Sequence, residues 1–423
     1  MSSDVDIAII GAGAAGLAAA IFAAESRPGV RSLLLDGAAK PGAKILVSGG
    51  GRCNVTNERV TADDYCGGSR NVIARVLRAF DEQRTIEWMK SMGVDLVLEP
   101  TGKYFPVTNK ARTVLDALLG RARELGVKLH AGWRVADLIH QHAEFFITRD
   151  NGEMLVAPRV IMATGGMALP KSGSDGAGLH WMKELGHGIV PTVPALAPLV
   201  LKAGPTPGGR FEELAGVTLD LRMVVASASG KKIAEVCRPA VFTHFGLSGP
   251  AAMDVSRHIA RYRLDHGGEP PRVTIGHPQF HDIADADKWL LEQAKSNPRR
   301  TAASAITGLF PDRMAEILAG EYGRLVELPR ELRHELARRI AALPIKVIGD
   351  RGYTFAEATA GGVDLSEVDP RTMESRAVRG LYLCGEILDV DGRIGGFNFQ
   401  WAWSSGYLAG RAAALSIQTA GAP

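Results

Sequence analysis

The 423-residue chain lacks the marks of several protein classes. It has four cysteines, Cys53, Cys66, Cys237 and Cys384, irregularly spaced and with no C-x-x-C pair. That excludes a disulfide scaffold and a zinc ribbon, and it fits a reducing, cytoplasmic setting. Cysteines and histidines form no zinc-type ligand set, so no metal is expected. Charge of one sign is also scarce: 49 Lys and Arg face 46 Asp and Glu, a net +3. No large field draws in nucleic acid or an anionic membrane. There is no G-x-x-x-x-G-K-[ST], which removes P-loop chemistry. One long uncharged run exists, residues 7–24, but three glycines interrupt it. Asp4 and Asp6 stand where a signal peptide would carry basic residues, so neither a signal nor a membrane anchor is expected.

What the chain has in quantity is glycine, 49 residues gathered in clusters. Such clusters mark tight turns and places where backbone approaches a ligand closely. The first is framed by regular elements. Residues 5–10 (VDIAII) read as a buried strand, 14–25 as a helix of small residues, and 31–36 (RSLLLD) as a second strand. This β-α-β unit holds Gly11, Gly13 and Gly16 in G-x-G-x-x-G spacing. Gly11 permits the turn, Gly13 admits a pyrophosphate, and Gly16 lets the helix pack closely. The helix start at Ala14, Ala15 and Gly16 directs N–H groups at the phosphates. Asp36, twenty residues after Gly16, suits the hydroxyls of an adenosine ribose.

A second glycine loop follows at 41–57, with Lys44, Ser48, Gly49, Gly50, Gly51, Arg52, Cys53 and Asn54. Helices are expected at 72–80, 84–92 and 110–125, and strands at 94–98, 133–149 and 153–162. Beyond 190 the texture changes. Prolines 191, 194 and 198 punctuate it, short strands follow, and residues 284–342 read as charged helices. A strand at 380–384 leads to Gly385 and Glu386, a turn at 389–392, and a final helix opened by Gly395 and Gly396. The expected divisions are therefore 1–190, an insert at 191–344, and a return at 345–423. Two glycine loops near one pyrophosphate suit FAD better than NAD. Glu386 is placed to accept from a ribityl hydroxyl. The final helix N-terminus, with Phe397 and Asn398, would favour negative charge on a reduced flavin ring.

Three blocks carry a resemblance: SGGGRCNVTN at 48–57, FTHFGLSGP at 242–250, and GEILDVDGRIGGFNFQWAWSSG at 385–406. They resemble the HI0933-like, or BaiN-type, family of bacterial flavoproteins. The resemblance implies an α/β fold: a glutathione-reductase-type FAD-binding, Rossmann-like domain interrupted by an inserted β-barrel and helical domain. It implies Ala163, Thr164 and Gly165 as the A-T-G segment that returns to the cofactor, and places Val135 among the cofactor residues. The family's enzymatic theme is reduction of unsaturated, steroid-like bile-acid intermediates. There is no second G-x-G-x-x-G and no C-x-x-x-x-C pair, which speaks against a built-in NAD(P)H domain and a disulfide relay.

Two residues are candidates for catalysis. His244, in the insert, is expected to face the flavin as a proton donor, the alternative being a structural histidine. Cys53, beside Arg52, is a candidate thiolate, the alternative being a small residue packed near the cofactor. Of Trp401 and Trp403, at most one should face the cofactor. The expected function is an FAD oxidoreductase taking hydride from transient NAD(P)H and passing it to a small or medium apolar unsaturated substrate. The alternatives are a flavin-dependent tRNA- or nucleic-acid-modifying enzyme and a non-catalytic flavin-binding module. No stable nucleic-acid or membrane partner is expected, since acids interleave the arginines of 297–340. Nothing sets an oligomeric state.

Overall fold

The computed structural model describes residues 4–204 and 207–417. Ile7–Ile10 is wholly apolar and wholly buried, as a strand covered on both faces must be. It occupies the centre of a five-stranded parallel sheet. The order is Leu381–Leu383, Val160–Met162, Ile7–Ile10, Ser32–Asp36, Lys128–Ala131. One edge strand comes from the far end of the chain, so this domain requires both its beginning and its end. The uncharged run at 7–24 is thereby divided between a strand and the helix Ala14–Ser26. Among the described residues no helix is long and apolar enough to cross a membrane.

The small residues of Ala14–Ser26 have a packing reason. The final helix, Phe397–Leu415, lies against it. A Cβ on Gly406 would stand 2.7 Å from Ala15 O, and one on Gly410 would overlap Ala19 O. The backbones meet because neither side offers a side chain there. Alanine in place of a helical glycine ordinarily stabilises by about 0.5–1 kcal/mol. Gly410→Ala should do the reverse, costing about 1–3 kcal/mol through overpacking. Thermal melting checks the sign.

The expected long strand at 133–149 is a hairpin, Val135–Gln141 and Glu144–Arg149, and Met154–Ala157 completes its sheet. His142 and Ala143 make the turn with φ of 52° and 61°. The segment at 389–392, expected as a turn, contains the strand Val390–Gly392 paired with Tyr65–Gly67. Val390–Gly392 is wholly buried whereas the hairpin is mostly half-buried or exposed, and in both a partner strand satisfies the peptide groups.

The chain divides into two compact units, Met1–Thr192 with Glu357–Pro423, and Val193–Ala356. The return falls at 357, not 345, because Val347–Asp350 pairs with Leu199–Leu201 inside the second unit. That unit has a seven-stranded sheet whose paired strands all run antiparallel. Its two edge strands, Leu343–Ile345 and Val347–Asp350, are separated only by Lys346. A sheet whose opposite edges are joined by one residue must curl into a barrel-like form. Helices Ile283–Ser296, Asp312–Ala319 and Arg330–Ala341 add Leu290, Leu318 and Ile340 to its core.

Candidate functional site

The three glycines of the first turn have separate reasons. Gly11 has φ 106°, and a Cβ there would overlap Ala163 O. A Cβ on Gly16 would overlap Gly11 O, so helix and turn close on each other. Gly13 has an ordinary φ of −81° and nothing within 4 Å of an added Cβ. The fold itself requires Gly11 and Gly16, whereas packing within the chain does not require a glycine at 13. The helix begins at Ala14 beside that space, and its first N–H groups have no partners within the helix.

Asp36 is more engaged than its motif role requires. One carboxylate oxygen accepts from Ala12 N–H and the other from Ala38 N–H, each at 2.7 Å. It therefore ties the glycine turn to the loop after the second strand. Each oxygen keeps acceptor capacity for a ribose hydroxyl. Gly132 and Trp133 donate to Ala38 O and Asp36 O, which brings the buried Val135 to the same end of the sheet.

The second glycine segment is a short helix, Ala43–Gly51, broken at Ser48, Gly49 and Gly50. Gly49, Gly50 and Gly51 have φ of 56°, 69° and 83°. Arg52 does not point a free cation into the loop: it pairs with Glu99 at 2.6 Å and lies 3.9 Å over the Phe105 ring. Phe105 is buried beneath it. Cys53 is fully buried, and burial pushes its thiol up to about 12. The thiolate expectation is thereby corrected: the group that was to stabilise the charge is engaged with Glu99, and water is excluded.

Asparagines of this segment hold the start of the final helix. The Asn54 amide, oriented to satisfy both neighbours, donates to Thr56 O at 2.9 Å and accepts from Gly396 N–H at 3.0 Å. Asn57 donates to Gly395 O at 2.9 Å. A Cβ on Gly396 would stand 2.6 Å from Thr56 O. Phe397 is buried, and Asn398 exchanges hydrogen bonds with Gly392 at 2.8 and 3.1 Å. The side chains of Asn54, Phe397 and Asn398 thus build the helix entrance. Trp401 and Trp403 are both buried, donating to Gly385 O and Val55 O.

A third wall joins residues far apart in the chain. Ala163 N–H donates to Ile10 O, and Gly165 turns with φ 74°. A Cβ on Gly165 would lie 2.7 Å from Ser174 Oγ and 3.7 Å from Lys44 Nζ. Gly385, φ 77°, donates to Ser405 Oγ. Glu386 accepts from Lys44 Nζ at 2.7 Å through one oxygen and from Thr359 N–H at 2.8 Å through the other. Thr359 Oγ1 in turn accepts from the N–H groups of Met167 and Ala168. Ser174 and Thr359 carried no sequence signal, and Ser405 was visible only as part of the block at 385–406. Each matters only through a partner distant in the chain.

This wall also tests the fit to a dinucleotide. The Thr164 hydroxyl is shielded from solvent and has no hydrogen-bond partner. A Cβ on Gly178 would overlap this oxygen, so the Thr164 side chain packs against the start of the helix Ala177–Glu184. The open space at Gly13, the helix N-terminus and Thr164 all lie at the carboxyl ends of parallel strands, where α/β sheets bind nucleotides. These residues fit FAD.

His244 belongs to the second unit. It is exposed at the tip of the tight turn between Lys232–Thr243 and Gly246–Ser248. Gly246 N–H donates to Thr243 Oγ1 across this turn. The imidazole stands edge-on to Phe245 at 5.1 Å, and Arg351 covers Phe245 at 4.8 Å.

A parallel five-stranded sheet with a framed glycine turn, completed by a distant C-terminal strand and helix, defines the dinucleotide-binding oxidoreductase class. Within that class the chain belongs to the HI0933-like family, whose Rossmann-domain profile matches residues 5–412. It is an FAD-dependent oxidoreductase of that family. It is 36% identical to a 3-dehydro-bile acid delta(4,6)-reductase of Clostridium scindens, across 96% of this chain and 98% of that one. It is 31% identical to a ribosomal RNA dihydrouridine synthase of Escherichia coli, across 95% and 96%. The fold also matches a 3-ketosteroid delta1-dehydrogenase from Sterolibacterium denitrificans with a TM-score of 0.51, at 13% identity, across 98% and 100%.

Proposed function

We propose that this enzyme reduces a carbon–carbon double bond conjugated to a carbonyl in a small or medium apolar molecule, using hydride from NAD(P)H. The observation that carries the reading is chemical. The two relatives named above are a bile-acid delta(4,6)-reductase and a dihydrouridine synthase, and both names describe saturation of a ring C=C. Bound FAD supplies the hydride for such a step. The chain's own task is to hold that group, exclude water and deliver one proton to the neighbouring carbon. The Gly13 space and the N-terminus of Ala14–Ser26 hold it. Cys53, neutral and buried, takes no part as a thiolate. His244 is the proton donor we assign, being an exposed imidazole on a well-braced turn.

A uridine in RNA is the second reading, favoured by the dihydrouridine synthase relative at 31% identity. Surface charge supports the small molecule instead. The second unit has 22 Lys and Arg against 18 Asp and Glu, and several of its arginines are already paired. Arg210 pairs with Glu213, Arg333 with Asp287, and Arg338 with Glu335. A basic stripe for phosphates needs such cations free.

Anaerobic mixing of the yellow protein with NADH or NADPH should bleach the flavin. A conjugated steroid enone should then restore the oxidised spectrum. Restoration by a uridine-containing ribosomal RNA fragment and not by the enone would select the second reading. A flavin that no nicotinamide donor reduces would refute the role of NAD(P)H.

A further inference from the structure

We propose that Lys44 is a positioning residue of the cofactor site, acting through Glu386: its ammonium neutralises that carboxylate so that it can stand beside an anionic dinucleotide. The proposal rests on the FAD assignment and goes beyond it, because the sequence places Lys44 and Glu386 in the site as independent contacts.

Three observations carry it. Lys44 and Glu386 meet at 2.7 Å although 342 positions separate them. The pair is four-fifths buried, with side-chain exposures of 23% and 20%. The second oxygen of Glu386 is held by Thr359 N–H. Both oxygens are therefore anchored, and the carboxylate has a fixed orientation. Among the described residues, neither side chain makes another hydrogen bond or ion pair. The third observation is the location. A side chain on Gly165 would reach to within 3.7 Å of the ammonium, so Lys44 lies against the glycine turn after Val160–Met162. That turn is at the carboxyl end of the parallel strands.

The chemistry follows from charge. A diphosphate cofactor brings negative charge into a site that already contains Glu386. Repulsion between like charges grows as water is excluded. With Lys44 present, Glu386 is a neutralised acceptor for hydroxyls. Without Lys44 it would be an uncompensated anion in the same site as the cofactor's negative charge. A lysine touching the cofactor directly would give a different pattern, since its loss would then cost the same whatever stands at 386.

The test is a double-mutant cycle on the full chain, read as FAD binding to deflavinated protein by quenching of flavin fluorescence. Lys44→Met should weaken FAD binding by about 30-fold, within the coupling seen for groups in one ion pair. In a Glu386→Gln background the same substitution should change binding by less than about 3-fold. Equal losses in the two backgrounds would overturn the proposal and make Lys44 a direct ligand or a purely structural residue. Unchanged binding in Lys44→Met would overturn it as well. Circular dichroism of each apoprotein monitors folding, and Lys44→Gln, a smaller perturbation, runs in the same cycle should Lys44→Met not fold. The readout uses no substrate, so failure of the cycle in a wild type that binds FAD leaves the double-bond reading untouched.

Discussion

Gly13→Val is expected to yield a folded protein that retains no flavin. The position has no neighbour within 4 Å of an added Cβ and an ordinary φ of −81°. A Cβ therefore meets no obstacle within the chain, and the branched side chain is expected to enter the space proposed for the pyrophosphate. The loss should exceed about 100-fold in FAD affinity, as a backbone contact to phosphate is replaced by overlap. The comparison with Gly16→Val isolates the cause. There the new atom would overlap Gly11 O, so folding fails along with binding. Asp36→Ala lies between them: it loses ribose contacts and also the two backbone hydrogen bonds to Ala12 and Ala38. It should bind FAD more weakly and melt lower. Flavin absorbance per chain, measured beside the melting temperature, separates the three. Full flavin occupancy in Gly13→Val would show the site to be misassigned.

The second large effect is kinetic. His244→Ala should keep its full FAD content and melting temperature while substrate reduction slows by about 10²–10⁴-fold, the usual contribution of a positioned general acid. The stability part follows from the structure, since the side chain is exposed and the turn is braced by Thr243 and Gly246 instead. Bleaching by NAD(P)H should proceed at the wild-type rate, because that half-reaction needs no proton from the substrate's donor. Stopped-flow traces of the two half-reactions check this directly. Wild-type turnover would leave His244 a surface residue of the second unit.

The legible parts of this protein are those whose cause is local. Ile7–Ile10, Ala14–Ser26 and Ser32–Asp36 follow from an apolar run, a run of small residues and a second apolar run. The turn glycines between them follow from conformations that other residues rarely adopt. The blocks around Gly49, His244 and Gly395 announce the family because many unusual residues stand together. Less legible was the break in the second glycine loop. Ala43–Val47 takes a helical path and Ser48, Gly49, Gly50 and Gly51 leave it; a glycine cluster does not say where a preceding helix stops. The return boundary at 357 was hidden too, since Val347–Asp350 is a strand in either unit and only its pairing with Leu199–Leu201 assigns it.

Periodicity and glycine spacing were enough to anticipate a dinucleotide domain completed late in the chain and its first turn, because backbone conformation and the burial of apolar runs depend on near neighbours. Side-chain partnership depends on distant ones. Whether Arg52 faces a thiol or Glu99, whether Cys53 meets water, and whether Lys44 touches a ligand or Glu386 are questions of which groups the sheet brings together. Those contacts link positions 47 to 342 residues apart, and charge and reactivity at the site are set by such contacts.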